Sequence, residues 1–249
     1  MRVEPALRVS GAVAVPGDKS ISHRAVLLGA LCDGETAIRG FGRSADTEST
    51  IGAERALGVA VDELHGDTLR VHGVGLCGPR APSAPIDCGN AGTLARLLTG
   101  ILAGQAGPEF RLVGDDSLST RPMGRIAEPL VRMVAGVETT DGTLPLAIRG
   151  TPLRGITYEL PVASAQVTSC VLLAGLLAEG DTTVVEPVPT RDHTESLLEF
   201  AGVDVLRAAD RVTVRPGLGS RDGVEICGAD ATAVSFPGFF DIVGALAGR

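Results

Sequence analysis

A chain of 249 residues, 44% of them hydrophobic, can fill one large core or two ordinary ones. Its formal net charge of −8 comes without any basic run, which argues against nucleic acid and anionic membrane surfaces as partners. No apolar stretch reaches membrane-spanning length, "MRVEPALRVSG" lacks the apolar segment of a signal peptide, and the five cysteines form no CxxC pair. A cytoplasmic protein with buried thiols is expected, with neither disulfides nor a metal site.

In chain order, the first expected element is a strand, "LRVSGAVAVPG", leading into a helix that starts near Ser20 and carries Val26, Leu27, Ala30 and Leu31 in helical spacing. "GETAIRGF" reads as the next strand, and Asp46 is expected to cap the helix after it. "APIDCGN" is a strand running into the helix "AGTLARLLTGILAG", followed by the strand "FRLVG", the polar loop "GDDSLSTRPMGR" and the helix "GRIAEPLVRMVAG". "ITYELPVAS", the helix of "VTSCVLLAGLLAEG" and the strand "GDTTVVEPV" come next. The turn "EPVPTRDHTES" then leads into a final helix, with His193 read as a turn or cap residue and not as a base.

This order is a repeat. "SHRAVLLGALCDGETAI", from Ser22, and "VTSCVLLAGLLAEGDTTVV", from Val167, share one pattern, and a weaker copy begins at Asn90. The helix starts near Ser20, Gly92 and Ala165 lie 72 and 73 residues apart. The expected class is α/β (α+β), with three βαβαββ-type units around a pseudo-threefold axis forming one lobe over residues 15–220.

Equivalent places in three packed units aim three helix N-termini toward one end of the lobe, where free N–H donors favour an anion. Lys19, Arg24, Arg96 and Arg121 add charge there, and Ser20, Ser164 and Gln166 add hydrogen bonds. Taken singly, Ser20, Asn90 and Ser164 read as helix caps and the arginines as solvated charges; recurrence at equal spacing favours the anion site. Lys19 is the only lysine in the chain. "GAVAVPGDKS" is not a P-loop, because Asp18 separates the glycine from the lysine. In the polar loop, Pro122 stiffens the approach of Arg121 to the next helix, suiting its guanidinium to phosphate or carboxylate.

The ordered motifs "VPGDKSISHRA", "GNAGTLARLL", "LSTRPMGR", "ASAQVTS" and "TRDHTE" closely resemble the 5-enolpyruvylshikimate-3-phosphate (EPSP) synthase family over nearly all of residues 8–215. "GDKSISHR" and "TRDHTE" resemble its bacterial class that tends to tolerate glyphosate. A UDP-N-acetylglucosamine enolpyruvyl transferase is the weaker match, since Ser20 stands where that relative has asparagine. The resemblance implies one lobe of the enolpyruvyl transferase fold, no cofactor, and two substrates, shikimate 3-phosphate and phosphoenolpyruvate. It implies that Lys19, Ser20, Arg24, Ser164, Ala165, Gln166 and Arg191 contact shikimate 3-phosphate. It assigns phosphoenolpyruvate to Asn90, Ala91, Gly92, Thr93 and Arg121, together with Lys19 and Gln166. Lys19 becomes the catalytic residue, a compact charge able to touch both substrates and donate a proton. Gly92 stands where tolerant relatives often carry alanine, so glyphosate is expected to fit.

The family holds six such units in two lobes, and the resemblance accounts for three. The motifs that supply the other lobe's carboxylate, second lysine and two arginines are not found in this sequence. Residues 1–14 and 221–249 resemble remnants of that lobe, as though a central portion were excised near "GLGSRDGV". An apolar helix with Phe236, Phe239, Phe240, Ile242 and Val243 would then need cover, or serve as a dimerisation surface in an otherwise monomeric protein. Three functions follow as expectations: an impaired enolpyruvyl transferase, a half-site that binds shikimate 3-phosphate without turnover, or a non-catalytic scaffold.

Overall fold

A computed structural model describes residues 16–218 and the backbone of 224–227. The strand expected up to residue 15 and the apolar helix around Phe236 lie outside the described residues. The first unit contains α1 (Lys19–Leu31), β1 (Asp33–Arg39), α2 (Ala45–Ala56), β2 (Ala60–Glu63) and β3 (Leu69–Val74). The second contains β4 (Ile86–Asp87), α3 (Gly92–Ala103), β5 (Glu109–Val113), α4 (Asp116–Ser119), α5 (Gly124–Arg132), β6 (Gly136–Thr140) and β7 (Thr143–Arg149). After the short β8 (Leu153–Arg154), the third runs through β9 (Thr157–Glu159), α6 (Ala165–Gly175), β10 (Ala178–Glu179), β11 (Thr182–Val185), α7 (His193–Phe200), β12 (Val205–Arg207) and β13 (Arg211–Val214). One more strand follows, β14 (Val224–Cys227).

Three four-stranded sheets share one plan. Their orders are β14-β1-β3-β2, β4-β5-β7-β6 and β9-β11-β13-β12, each with one parallel pair followed by antiparallel pairs. In the second and third units the parallel outer strand immediately precedes the unit's first helix. In the first unit that slot holds β14, with Thr36 opposite Val224 and Arg39 opposite Cys227. In sequence, residues 221–249 read as remnants of another lobe that would pack on this one; four of them lie on the first sheet. The reason is backbone chemistry, since an open edge of β1 carries unpaired N–H and C=O groups that a strand satisfies.

The three leading helices are interior elements. Residues 22–31 of α1 are all buried, as are most of α3 and α6, which fits helices that are apolar nearly all round. α3 and α6 cross at Gly100, where a Cβ would stand 2.2 Å from the carbonyl oxygen of Cys170, so only glycine permits the approach. One core cluster runs through all three units, from Leu27 and Leu31 through Leu97, Leu98 and Phe110 to Val171, Leu172 and Val184. A second lies under the first sheet, around Val26, Ile38, Ile51 and Val71. Cys32, Cys88 and Cys170 are buried as expected, but Cys77 is exposed. Among the described residues no helix is long and apolar enough to cross a membrane.

Glu54 of α2 sits in this interior only 2% exposed, and burial pushes its carboxyl up to about 8. An acid whose folded pKa is raised loses stability as pH climbs above its unfolded value, because the unfolded chain ionises first. Glu54→Gln is therefore expected to stabilise the protein by about 4 kcal/mol at pH 8, with the difference vanishing toward pH 4.5. Urea unfolding of both proteins across that range checks it.

Candidate functional site

The three leading helices begin differently from one another. Asp18 caps α1, its carboxylate accepting from the Ile21 amide at 2.8 Å, so Ser20 is not the cap. Neither α3 nor α6 has a side-chain cap: Ala91 stands at the cap position of α3, and Ser164 at that of α6 makes no capping bond. Asn90 is committed elsewhere. Apart from the Gly92 and Val167 amides, which donate to the carbonyls of Asn90 and Ser164, the first-turn amides of these two helices have no side-chain cap to occupy them, as an anion site requires.

These two starts are joined. Arg96 of α3 donates to Gln166 Oε1 of α6 at 2.8 Å, and Gln166 Nε2 donates to Thr93 Oγ1 at 3.0 Å. Gly92 lies beneath two guanidinium groups: a Cβ there would stand 2.8 Å from Arg96 Nη1 and 3.3 Å from Arg121 Nη1. Burial lowers the pKa of Arg96, and the charges of Arg121 and Arg125 push the same way. This cluster is electrically poised for an anion.

Arg121 is held from behind. Its Nη2 donates to Asn90 Oδ1 and, at 3.3 Å, to Ser117 Oγ. Asn90 Nδ2 in turn donates to Asp115 at 2.7 Å, while Asp115 caps α4 through the Leu118 amide. The stretch expected as a plain loop thus contains a helical turn that orients Arg121. Asp115 gave no sign of this in the sequence.

Lys19 is half-exposed and donates to Asp46 Oδ2 at 2.8 Å. The expected capping role of Asp46 is corrected here, because Ser44 caps α2 in a reciprocal box with Thr47. A turn further along both helices, His23 Nδ1 and Thr50 Oγ1 share a buried bond of 2.6 Å. Residues four apart stack on one helix face, so the two pairs are rungs of one ladder fixing α1 against α2. Burial holds His23 down at about 4, hence neutral at physiological pH. On the same helix, Ser49 Oγ approaches Gly89, where a Cβ would stand 2.8 Å away. α2 therefore sets Lys19 and the loop before α3 side by side.

Arg24 is buried, 4% exposed, and burial lowers its pKa to about 10. Ser20, Ser164, Ala165 and Gln166 are half-buried at the starts of α1 and α6. Arg191 is exposed just before α7, where burial raises Glu195 to about 7 and lowers the pKa of His193. His193 opens α7, buried, in keeping with a structural place. Among the described residues no group of His, Cys, Asp or Glu is arranged to hold a metal ion.

The sequence model of the family EPSP synthase (3-phosphoshikimate 1-carboxyvinyltransferase) matches residues 3–237. The 3-phosphoshikimate 1-carboxyvinyltransferase of Acidithiobacillus ferrooxidans is 55% identical over 215 residues, 86% of this chain and 49% of that protein. Its counterpart from Alkalilimnicola ehrlichii is 51% identical over 236 residues, 94% of this chain and 53% of the relative. A solved EPSP synthase structure from Acinetobacter baumannii superimposes with a TM-score of 0.83 at 45% identity, over 87% of this chain and 49% of its own. The chain belongs to the EPSP synthase family, and it spans about half the length of the relatives it matches.

A methyl group at Gly92 would have to displace Arg96 and Arg121. Gly92→Ala is expected to weaken binding of inorganic phosphate about tenfold without loss of fold, since guanidinium groups can swing aside. Isothermal titration with phosphate, beside a thermal melt, checks both parts.

Proposed function

We propose that this chain carries the shikimate 3-phosphate recognition half of an enolpyruvyl transfer site. The observation that supports it most is the Arg96–Gln166–Thr93 chain, which joins the uncapped starts of α3 and α6 beneath Arg121. Shikimate 3-phosphate lies against Ser164, Ala165 and Gln166, with Lys19, Ser20, Arg24 and Arg191 from the flanking helices. Phosphoenolpyruvate lies over Asn90, Gly92 and Thr93, its phosphate gripped by Arg121, with Lys19 and Gln166 between the two ligands.

The reaction of the complete site is addition followed by elimination. The 5-hydroxyl oxygen of shikimate 3-phosphate bonds to C2 of phosphoenolpyruvate while C3 takes a proton. The tetrahedral adduct then loses a C3 proton and breaks the C2–O bond to phosphate. Lys19 is the group on this lobe suited to deliver a proton near C2 and C3 while its charge steadies the departing phosphate. No organic cofactor or metal enters these steps.

A base for the 5-hydroxyl is harder to find on this lobe. Asp46 is paired with Lys19, Asp18 caps α1 and Asp115 caps α4. This favours binding with slow turnover, because one wall of a site neither excludes water nor supplies all its charges.

Calorimetric titration with shikimate 3-phosphate is expected to show one ligand per chain, and Lys19→Met to weaken it about tenfold. Phosphate release with both substrates is expected to fall far below a typical ~10 s⁻¹. Absence of binding overturns the reading; release near that rate overturns the half-site part of it.

A further inference from the structure

The repeat places three residues at one position, four after the aligned Ser20, Gly92 and Ala165: Arg24 in α1, Arg96 in α3 and Ser169 in α6. Each bonds the carbonyl four residues back. Arg24 Nη1 donates to Ser20 O at 3.0 Å, Arg96 Nη1 to Gly92 O at 3.3 Å, and Ser169 Oγ to Ala165 O at 2.6 Å. The two arginines then reach toward the same helix. Arg96 donates to Gln166, and Arg24 Nη2 donates to Ser169 Oγ at 2.8 Å. The third unit departs from the pattern with a small hydroxyl residue, and the guanidinium of Arg24 uses the room.

Thr194 of α7 completes the arrangement. Its Oγ1 accepts from Arg24 Nε at 2.6 Å and donates to Ser169 Oγ at 2.6 Å. Proton directions are consistent throughout: Arg24 donates to both hydroxyls, Thr194 donates to Ser169, and Ser169 donates to the Ala165 carbonyl. Arg24, Ser169 and Thr194 are all buried, so each bond is made away from competing water. A guanidinium has five N–H donors, and three are used here, leaving two with no acceptor among the described residues.

We propose that Ser169 and Thr194 are positioning residues that fix the plane of the Arg24 guanidinium, and through it the affinity of the α6 start for shikimate 3-phosphate. The proposal rests on the functional reading above and deepens it. Two hydroxyls spaced to meet Nε and Nη2 leave a planar fork little rotational freedom, which lysine at the same place could not offer. They also tie α6 to α1 and α7, just as Arg96 ties it to α3.

The test uses the full chain. The Arg24 Nε–H resonance in 15N NMR, identified by its disappearance in Arg24→Lys, reports the fork directly, and titration calorimetry reports shikimate 3-phosphate affinity. Thr194→Val is expected to collapse that resonance into solvent exchange and weaken binding about tenfold. Thr194→Ser is expected to restore both to within about threefold. Ser169→Ala gives a second reading should Thr194→Val fail to fold, since alanine suits a helix interior. A folded Thr194→Val or Ser169→Ala protein that keeps the resonance, or binds as the unaltered chain does, overturns the proposal. Absence of shikimate 3-phosphate binding by the unaltered chain defeats the functional reading and the recognition role together; the resonance still decides whether the fork is held.

Discussion

Helix α6 begins between two arginines that reach it from different units, and the candidate site depends on that placement. Arg96 holds Gln166 from one neighbour, and Arg24 holds Ser169 from the other. Such crossed contacts need backbones close enough for side chains to span the gap. The glycine crossing of α3 over Cys170 supplies this between the second and third units. Burial strengthens each bond, and three of the five N–H donors of Arg24 are engaged in this way.

The electrostatics follow from the same geometry. Cations gather where helix starts converge, and the nearby carboxylates are bound into structural tasks. Asp18 and Asp115 hold helix ends, and Asp46 holds the lysine. What remains is a positive field facing a polar, half-buried surface. Such a field is what the phosphate esters of the proposed function would require.

Much of the lobe was legible because duplication writes itself into spacing. The strand endings at "APIDCGN" and "ITYELPVAS", the helix starts and the three-unit plan all came from patterns that recur. Partnerships between units were harder to read. Asp46 resembled a cap because acidic residues favour first turns, yet Ser44 two residues earlier took that place. Its true partner lies 27 residues away, the same separation as His23 from Thr50, and the equal offsets were the available signal. Ser169 and Thr194 were legible only by aligning the repeat position by position and asking why one copy lacks an arginine. The turn of α4 left no mark, because four residues carry no period.

The first sheet is closed from the far side of the chain, with Thr36 opposite Val224. Among the described residues, every other strand pairing joins segments within one unit or the next, so those can assemble as the polypeptide emerges. This one cannot. Its closure entropy is that of a very long loop, and such loops add only slowly to the cost while strongly delaying the encounter. During synthesis, β1 is therefore without its β14 partner until residues 224–227 have emerged.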